Sequence, residues 1–575
     1  MPMKINNYLS YRQNKSVFSG DFCIDYIQSL QDVSDMTKLF KPLLPIGQAV
    51  SSLGCMALVL VGVWALPTRA VAQFDPAKVI VEPVAVARRY ADPAVTYQTP
   101  GFKPNRTDFA SHAEVLAHLK ALTTQHKQLS LEVAGRSQEG REIPLVILSS
   151  ERGFQKSKPT VMVLGQQHGN EPAGGEAALA LAEQLLGSER KLLEHVNVLI
   201  LPRANPDGAQ HFVRATANGL DVNRDHLLLQ TPEAQAIAST ALRFSPQVVM
   251  DLHEFTVGNR WIDKFAAYAK YDALLQAATV GNMNAGVADV ALRDFVGAAR
   301  AALESNQFST FWYHTSSTDP VDRVVSMGGV QPDTGRNVFG LRHAVSLLVE
   351  TRGVGLGRAH FLRRVHSHVV ASLAVIKTAA SQGERLVQLV EGAALGTAEA
   401  ACQGDIVLRA RTSSSKENLQ FVDAVTGADR TEVVDWRSAL RLEVAASRAR
   451  PCGYWLGPDQ HAVVRKLQDL GATAVPVGQG RRAVAEAYRV LTEKGGQRID
   501  ARGAIAASRA IRDVTVALDQ TTRDLPAGGW FVSMHQSLGN LIAAALEPDS
   551  QNSFTANHVM DLDASSMLRI VKFLD

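Results

Sequence analysis

Two patterns of apolar residues alternate along the middle of the chain. Helical spacing appears over residues 112–126, where Val115, Leu116, Leu119 and Leu122 recur and Ser111 stands at the N-cap position. Short, nearly continuous apolar runs predict buried strands at 144–148, 160–164, 196–201, 247–252 and 345–349. Helical patterns lie among them, including 174–186 and 361–380. Buried strands interleaved with helices predict an α/β fold with a mixed, largely parallel sheet flanked by helices.

The pattern changes beyond about residue 385. Alternating segments at 405–410 and 440–444 predict strands, and residues 461–470, closed by Gly471, predict a helix. We therefore expect a smaller C-terminal α+β domain over residues 385–575, of open role, after a larger domain at 97–384. Residues 73–96 are rich in proline and polar positions and predict an extended lead-in.

The first 72 residues have the pattern of a targeting signal. An apolar run, residues 53–66, follows two lysines and leads to Ala72, the end of a small-x-small cleavage pattern. We expect a signal peptide at 36–72, cleaved near Ala72, and a secreted or periplasmic protein. At about 14 residues the run is shorter than the roughly 20 that span a bilayer, so no stable membrane anchor is expected.

The signal peptide also suggests where translation begins and how the N-terminus is processed. Met36 lies close to the charged region, so residues 1–35 are expected to be a mis-assigned or disordered extension. Cys55 lies near the beginning of the apolar run instead of just after it, which argues against a lipoprotein.

Composition excludes some classes of function. The 575 residues include 59 Lys and Arg against 56 Asp and Glu, a net charge of +3, and no dense basic block, so nucleic acid is not an expected partner. Four cysteines form no paired metal-binding motif. Cleavage near Ala72 leaves Cys402 and Cys452, either as one disulfide or as two buried thiols.

Candidate metal ligands follow two of the predicted strands. His168 and Glu171 lie after the strand at 160–164, just before a helix, and His with Glu is a ligand pair suited to zinc. His253, after the run at 247–252, is the candidate third ligand, which leaves a coordination position open. Asp251 and Glu254 are both candidates for orienting its imidazole.

Other polar residues suit acyl-transfer chemistry beside such a metal. Arg214 can stabilise an oxyanion, and Asn223 with Arg224 can bind a substrate carboxylate. Glu350 ends a predicted buried strand, where a carboxylate next to activated water suits a general base.

In type and order these residues resemble the zinc carboxypeptidases of the carboxypeptidase A and B type, from about Tyr97 to Ala380. The segment GRSQEGREIPLVILS at 135–149 also resembles the one that precedes the metal loop in that family. The resemblance implies a bacterial exported metallocarboxypeptidase with one zinc per chain. It implies that His168, Glu171 and His253 bind zinc, that Arg214 and Glu350 are catalytic, and that Asn223 and Arg224 bind substrate.

The chain departs from the family pattern at the residue that closes over the substrate. The family has a mobile tyrosine some twenty residues before its catalytic glutamate, but no tyrosine lies between Asp319 and Glu350 here. Tyr313 or His314 is a candidate substitute, although a packed aromatic beside Trp312 is the favoured interpretation of Tyr313.

The sequence leaves alternatives open for both the substrate and the function. Arg336 lies near where the family builds its specificity pocket and would select acidic side chains, but a surface arginine in a loop is favoured. Peptide or protein C-termini are the expected substrates. A zinc amidase or cell-wall peptide hydrolase, and an inactive binding module, are the alternatives, and the oligomeric state is open. Ser413 and Lys416 match Ser-x-x-Lys but lie in a polar run, 411–418, that predicts a solvated turn.

Overall fold

The computed structural model describes residues 74–500, 503–504, 510–563 and 565–574. The predicted signal peptide at 36–72 and the extension at 1–35 lie outside these residues. In the described part of the chain, no helix combines the length and the apolar character needed to cross a bilayer.

Strands and helices alternate from about residue 112 onward, as the apolar pattern predicts. The strands are β1 Leu129–Arg136, β2 Glu142–Leu148, β3 Thr160–Gly165, β4 Asn197–Leu201, β5 Val248–Thr256, β6 Ala267–Ala269, β7 Ala273–Ala277, β8 Thr310–Trp312, β9 Thr315–Ser316, β10 Val324–Ser326, β11 Val345–Val354, β12 Asp405–Asp423, β13 Asp429–Ala449, β14 Gly453–Leu456, β15 Val475–Pro476, β16 Arg481–Gln497, β17 Ile499–Asp500, β18 Gly503–Ala504, β19 Ala510–Leu525, β20 Trp530–Ser533 and β21 Met567–Phe573.

The four helices predicted at 112–126, 174–186, 361–380 and 461–470 are present to within a few residues, and further helices accompany them. In chain order the helices are α1 Val84–Ala87, α2 His112–Gln125, α3 Pro172–Leu186, α4 Pro206–His211, α5 Pro232–Phe244, α6 Arg260–Phe265, α7 Ala285–Val290, α8 Gly297–Ser305, α9 Gly335–Leu341, α10 Phe361–Gln382, α11 Glu384–Glu399, α12 His461–Asp469 and α13 Gly539–Leu546. Ser111 caps α2 in a capping box with Glu114, which satisfies two backbone donors at the helix start.

The main sheet has the strand order β1-β2-β4-β3-β5-β11-β7-β8 within the described residues. Strands β3, β4, β5 and β11 pair in parallel, and antiparallel pairs flank them on both sides. Side chains alternate between two cores: Val161 and Val163 face α3 and α10, whereas Met162 and Leu164 face α5 and α9. The predicted mixed, largely parallel sheet flanked by helices is confirmed.

Two strands at the centre of the sheet continue beyond their predicted ends. β5 runs to Thr256 and β11 to Val354, and the two strands stay paired as far as Val354 opposite Thr256. Polar residues end the apolar runs in the sequence. The backbone hydrogen bonds between the two strands continue past them, because these bonds do not depend on the polarity of the side chains. His253 and Glu350 therefore lie inside strands and not at strand ends.

The C-terminal part contributes to three more sheets in the described structure, the smallest of which is the pair β17–β18. The hairpin β12–β13 pairs with the short strands β6, β9 and β10, and a six-stranded sheet has the order β15-β20-β14-β21-β16-β19. The prediction of a solvated turn at 411–418 is wrong, because these residues lie within β12. Ser413 pairs with Ser438, and Lys416 forms an ion pair of 2.5 Å with Asp435 on β13. This strand is long, polar and largely exposed, so apolar alternation could not reveal it.

The C-terminal part shares its core with the rest of the molecule. Tyr454 and Leu541 belong to the same apolar cluster as Met162 and Phe339. From residue 74 onward the chain forms one compact unit, so the domain boundary at residue 384 stays a prediction. Cys402 and Cys452 are joined by a disulfide, which resolves the alternative that the sequence left open.

The predicted lead-in is held against the main sheet. It contains short helical turns, among them α1, instead of being extended throughout. Glu82 pairs with the buried Arg352 of β11 at 2.8 Å, and the Arg352 guanidinium lies 3.5 Å from the centre of the Tyr90 ring. These contacts fix the lead-in to the strand that carries Glu350.

Candidate metal centre and substrate cleft

A tight loop between β3 and α3 presents the first two metal-binding candidates. His168 lies in this loop, and Glu171 occupies the N-cap position of α3, ahead of Pro172. The loop packs directly on α4: a Cβ added to Gly169 would lie 1.8 Å from the carbonyl carbon of Gly208. Only glycine at position 169 lets the two backbones approach this closely.

Three side chains converge on one point at the carboxyl end of the sheet. His168 Nδ1 lies 2.8 Å from Glu171 Oε1, His253 Nδ1 lies 2.8 Å from Glu171 Oε2, and the two Nδ1 atoms are 2.9 Å apart. All three residues are buried, and they form the one such cluster of three or more metal-binding side chains within the described residues. Two imidazoles and a carboxylate with an open fourth position suit catalytic zinc.

Two aspartates fix the orientation of the imidazoles. His168 Nε2 lies 3.0 Å from Asp221 Oδ1, and His253 Nε2 lies 2.8 Å from Asp251 Oδ1. Each Nε2–H group donates a hydrogen bond to its aspartate, so the lone pair of each Nδ1 faces the metal position. This decides between Asp251 and Glu254: Asp251 orients His253, whereas Glu254 binds Arg364 at 2.7 Å and accepts from the Ala173 amide at 3.0 Å.

Arg214 lies next to the three ligand candidates. Its Nη1 lies 3.0 Å from His168 Nδ1, and its Nε donates to Asp221 at 3.0 Å. Asp221 thus contacts both the imidazole and the guanidinium. About a third of the Arg214 side chain stays exposed, which leaves it accessible from the cleft.

The predicted carboxylate-binding pair, Asn223 and Arg224, lies on the short 3-10 turn Val222–Arg224. Asn223 is buried, donates through Nδ2 to Asp251 at 3.1 Å and accepts from the Gly335 amide at 2.8 Å. Arg224 reaches into the cleft and donates to Asp500 at 2.6 Å. Asn223 therefore contacts the group that orients His253, and both members of the pair line the cleft.

Glu350 lies beside the metal-binding cluster. It stands opposite His253 in the register of β11 and β5, so the two side chains leave the sheet at the same level. The same cleft is lined by Glu350, Arg214, Arg224 and His168, together with Arg260 and Trp261. The sequence did not single out Arg260 or Trp261.

Arg336 is not the surface residue that the sequence favoured. It lies on α9, is buried, and lines the cleft, with Nη2 donating to the Gly329 carbonyl at 2.7 Å. Its Nε has no hydrogen-bond partner among the described residues. Burial lowers the pKa of the Arg336 guanidinium, and nearby Tyr313 and Glu350 act in the opposite direction.

Tyr313 and His314, the candidate substitutes for a closing tyrosine, take different positions. His314 is buried against Trp261, and its Nδ1–H donates to the Trp312 carbonyl at 2.8 Å. Burial lowers its pKa to about 4, so its ring is neutral at neutral pH. Tyr313 is half-buried, packs on the aromatic cluster and also lines the cleft. The favoured interpretation of Tyr313 as a packed aromatic is therefore only part of the description, because the same side chain also lines the cleft.

Asp221 and Asp500 are site residues that the sequence did not single out. Asp221 lies two positions before Asn223 in the segment GLDVNRD, and its acidic side chain close to the candidate arginines was a usable signal. Asp500 lies on the C-terminal hairpin, and no local pattern connects it to Arg224.

Comparison with known proteins agrees with this geometry. Residues 115–280 match the zinc carboxypeptidase family. Carboxypeptidase 2 of Trichophyton equinum is 28% identical over 445 residues, which is 76% of this chain and 81% of that protein. Carboxypeptidase Z of Mus musculus is 33% identical over 163 residues, 24% of this chain and 25% of that protein.

A metallo-carboxypeptidase from Burkholderia cenocepacia is similar in structure over 47% of this chain and 70% of its own, with 21% identity and a TM-score of 0.37. At that score the likeness adds nothing to the topology described above. The family match, the relatives along most of the chain, and the two histidines and one glutamate around a single point lead to one conclusion. The chain contains a zinc carboxypeptidase domain, which the family match places at residues 115–280.

Proposed function

We propose that this zinc metallocarboxypeptidase releases C-terminal residues from peptides and proteins, with one zinc held by His168, Glu171 and His253. The observation that carries the proposal is the combination in one cleft of these ligands with Arg214, Glu350 and Arg224. A structural zinc site is closed by four protein ligands and does not need a carboxylate and two arginines beside the metal.

The cleft residues divide the chemistry among them. When bound, zinc supplies Lewis-acid polarisation of the scissile carbonyl and lowers the pKa of water beside it. Glu350 acts as general base: it removes a proton from the attacking water and returns it to the leaving amine. Arg214 stabilises the negative charge that develops on the carbonyl oxygen, since its guanidinium already faces the metal position.

Arg224 sets the position of the scissile bond. A guanidinium can bind the free carboxylate of a peptide end with two parallel charge-assisted hydrogen bonds. The assignment of Asn223 to substrate binding is weaker on geometry, because its amide contacts Asp251 and Gly335. Asn223 supports the proposal by holding the adjacent Arg224 backbone at the cleft.

Arg336 favours acidic residues at the cleaved end. A buried guanidinium that lines the cleft, with one N–H group unsatisfied among the described residues, is costly unless a ligand supplies an acceptor. A Glu or Asp side chain would supply that acceptor together with the opposite charge.

The setting of the reaction is part of the same proposal. The expected signal peptide and cleavage near Ala72 favour a secreted or periplasmic enzyme, and a disulfide agrees with an oxidising compartment. A bacterial origin remains an expectation from the resemblance. An inactive binding module is disfavoured because the general base and both arginines are present.

The test combines metal analysis with product identification. The purified protein should contain about one zinc per chain, and mass spectrometry should detect loss of single C-terminal residues from a peptide library. Glu350→Gln should retain zinc but lose nearly all turnover. Cleavage within peptides, or full turnover by Glu350→Gln, would overturn the proposal.

A further inference from the structure

The C-terminal part of the chain contributes a residue to the substrate cleft. Strands β16 and β19 form a long hairpin, and β17, at the end of β16, carries Asp500. Asp500 lines the same cleft as Arg214, Arg224 and Glu350. Asp500 therefore helps to form the site although it lies 276 residues from Arg224 in sequence.

Asp500 contacts the guanidinium that is proposed to bind substrate. Arg224 Nη2 donates to Asp500 Oδ2 at 2.6 Å, and both side chains are largely buried, with 15% and 10% of their surface exposed. The other terminal nitrogen of Arg224 donates to the Asn223 carbonyl at 2.8 Å. A carboxylate with this short, charge-assisted contact occupies the part of Arg224 that a peptide carboxylate would use.

A second, buried ion pair fixes the hairpin in this position. Arg498 donates to the Arg224 carbonyl at 2.6 Å and pairs with Asp333, and both Arg498 and Asp333 are buried. Asp333 also accepts from Asn552 Nδ2 at 2.6 Å, a second contact from the C-terminal part. Removing one partner from a buried pair is strongly unfavourable, so the position of residues 498–500 is determined by the fold.

We propose that Asp500 is a specificity-determining residue that competes with the substrate carboxylate for Arg224. This inference rests on the proposed function, in which Arg224 binds the free end of the peptide. A substrate must replace the Asp500 carboxylate at the guanidinium before the scissile bond reaches zinc. The C-terminal part thereby weakens the binding of all free carboxylates and admits only substrates whose remaining contacts compensate for it.

Asp500→Asn tests the inference, because it removes the charge but keeps the size of the side chain. For a peptide with a free C-terminus, KM should fall by about tenfold, as expected for one charge-assisted contact, and kcat should change by less than about twofold. Asp500→Glu retains the competing carboxylate and should stay close to wild type. Asp519→Asn is the matched control, since Asp519 pairs with Arg489 on the same hairpin, outside the cleft.

A pair of small inhibitors distinguishes two explanations for a lower KM in Asp500→Asn: loss of competition for Arg224, and a wider cleft. In Asp500→Asn, 3-phenylpropanoate should bind about tenfold more tightly than in wild type, whereas its amide should bind unchanged. An unchanged or higher KM, or an equal gain for acid and amide, would overturn the inference. If wild type prefers free over amidated peptides and Asp500→Asn changes nothing, only this inference fails. If wild type shows no such preference, the proposed role of Arg224 fails first.

Discussion

At the scale of single residues, two aspartates that contact the histidines set the orientation of the imidazoles at the metal centre. Asp221 and Asp251 each accept a hydrogen bond from an Nε2–H group, so that each Nδ1 faces the metal position. Asp251 also accepts from Gln167 at 2.6 Å and from Asn223, which holds its carboxylate in one orientation. We therefore expect the metal affinity to depend on Asp221 and Asp251, although neither is a candidate metal ligand.

Asp251→Asn should lower zinc affinity by about 10- to 100-fold, because a neutral amide orients His253 less firmly and makes it a poorer ligand. Competition with a chromophoric chelator measures the affinity directly. Asp289→Asn, at an exposed pair with Arg293, is the control and should keep wild-type affinity. An Asp251→Asn protein with undiminished affinity would contradict the assignment of Asp251.

Arg336→Gln should reduce selectivity for acidic over aliphatic C-terminal residues by on the order of a hundredfold, since the lost contact is a buried charge-assisted one. The ratio of kcat/KM for two peptides that end in Glu and Leu reports it. The exposed Arg293→Gln should leave this ratio unchanged. A wild-type enzyme that prefers Leu would show that Arg336 does not select the substrate.

At the scale of elements, local signals predicted most of the site. His168, Glu171 and His253 lie at or near the ends of apolar runs that the sequence reveals, and parallel strands bring such ends together. The exact strand ends could not be predicted, because polar site residues interrupt the apolar pattern inside β5 and β11. The hairpin β16–β19 was missed as a site element because its contact with Arg224 depends on tertiary packing and not on any local period.

The loop that carries His168 depends on its contact with α4. Gly169→Ala should force this loop away from Gly208 and lower both stability, by about 1–3 kcal/mol, and zinc content. Thermal unfolding and metal analysis measure the two effects. Gly392→Ala on α11 is the matched control, as nothing lies within 4 Å of the added methyl group. Full zinc content in Gly169→Ala would show that the loop tolerates displacement.

At the scale of the whole molecule, the C-terminal part is joined to the catalytic part by shared core residues, and a disulfide cross-links the C-terminal part internally. The Cys402–Cys452 bond links the segment after α11 to the start of β14, across a sequence separation of 50. The sequence could name the two cysteines but not their pairing, because pairing depends on distances that only the fold defines.

Replacing both Cys402 and Cys452 with serine should lower the free energy of unfolding by about 2–4 kcal/mol, because the unfolded chain gains freedom. Denaturant unfolding measures this change. Wild type should lose a similar amount in reductant, whereas the double variant should not respond further. Equal stability of the two proteins under oxidising conditions would contradict a disulfide that supports the fold.

The most direct test of the account compares one peptide with its C-terminus free and amidated. Wild type should cleave the free form far more efficiently. Arg224→Ala should lower kcat/KM on the free peptide by about a hundredfold, roughly 3 kcal/mol, and change little on the amidated one. Equal wild-type kcat/KM on the two forms would contradict the carboxypeptidase function and favour a zinc amidase that uses the same metal centre.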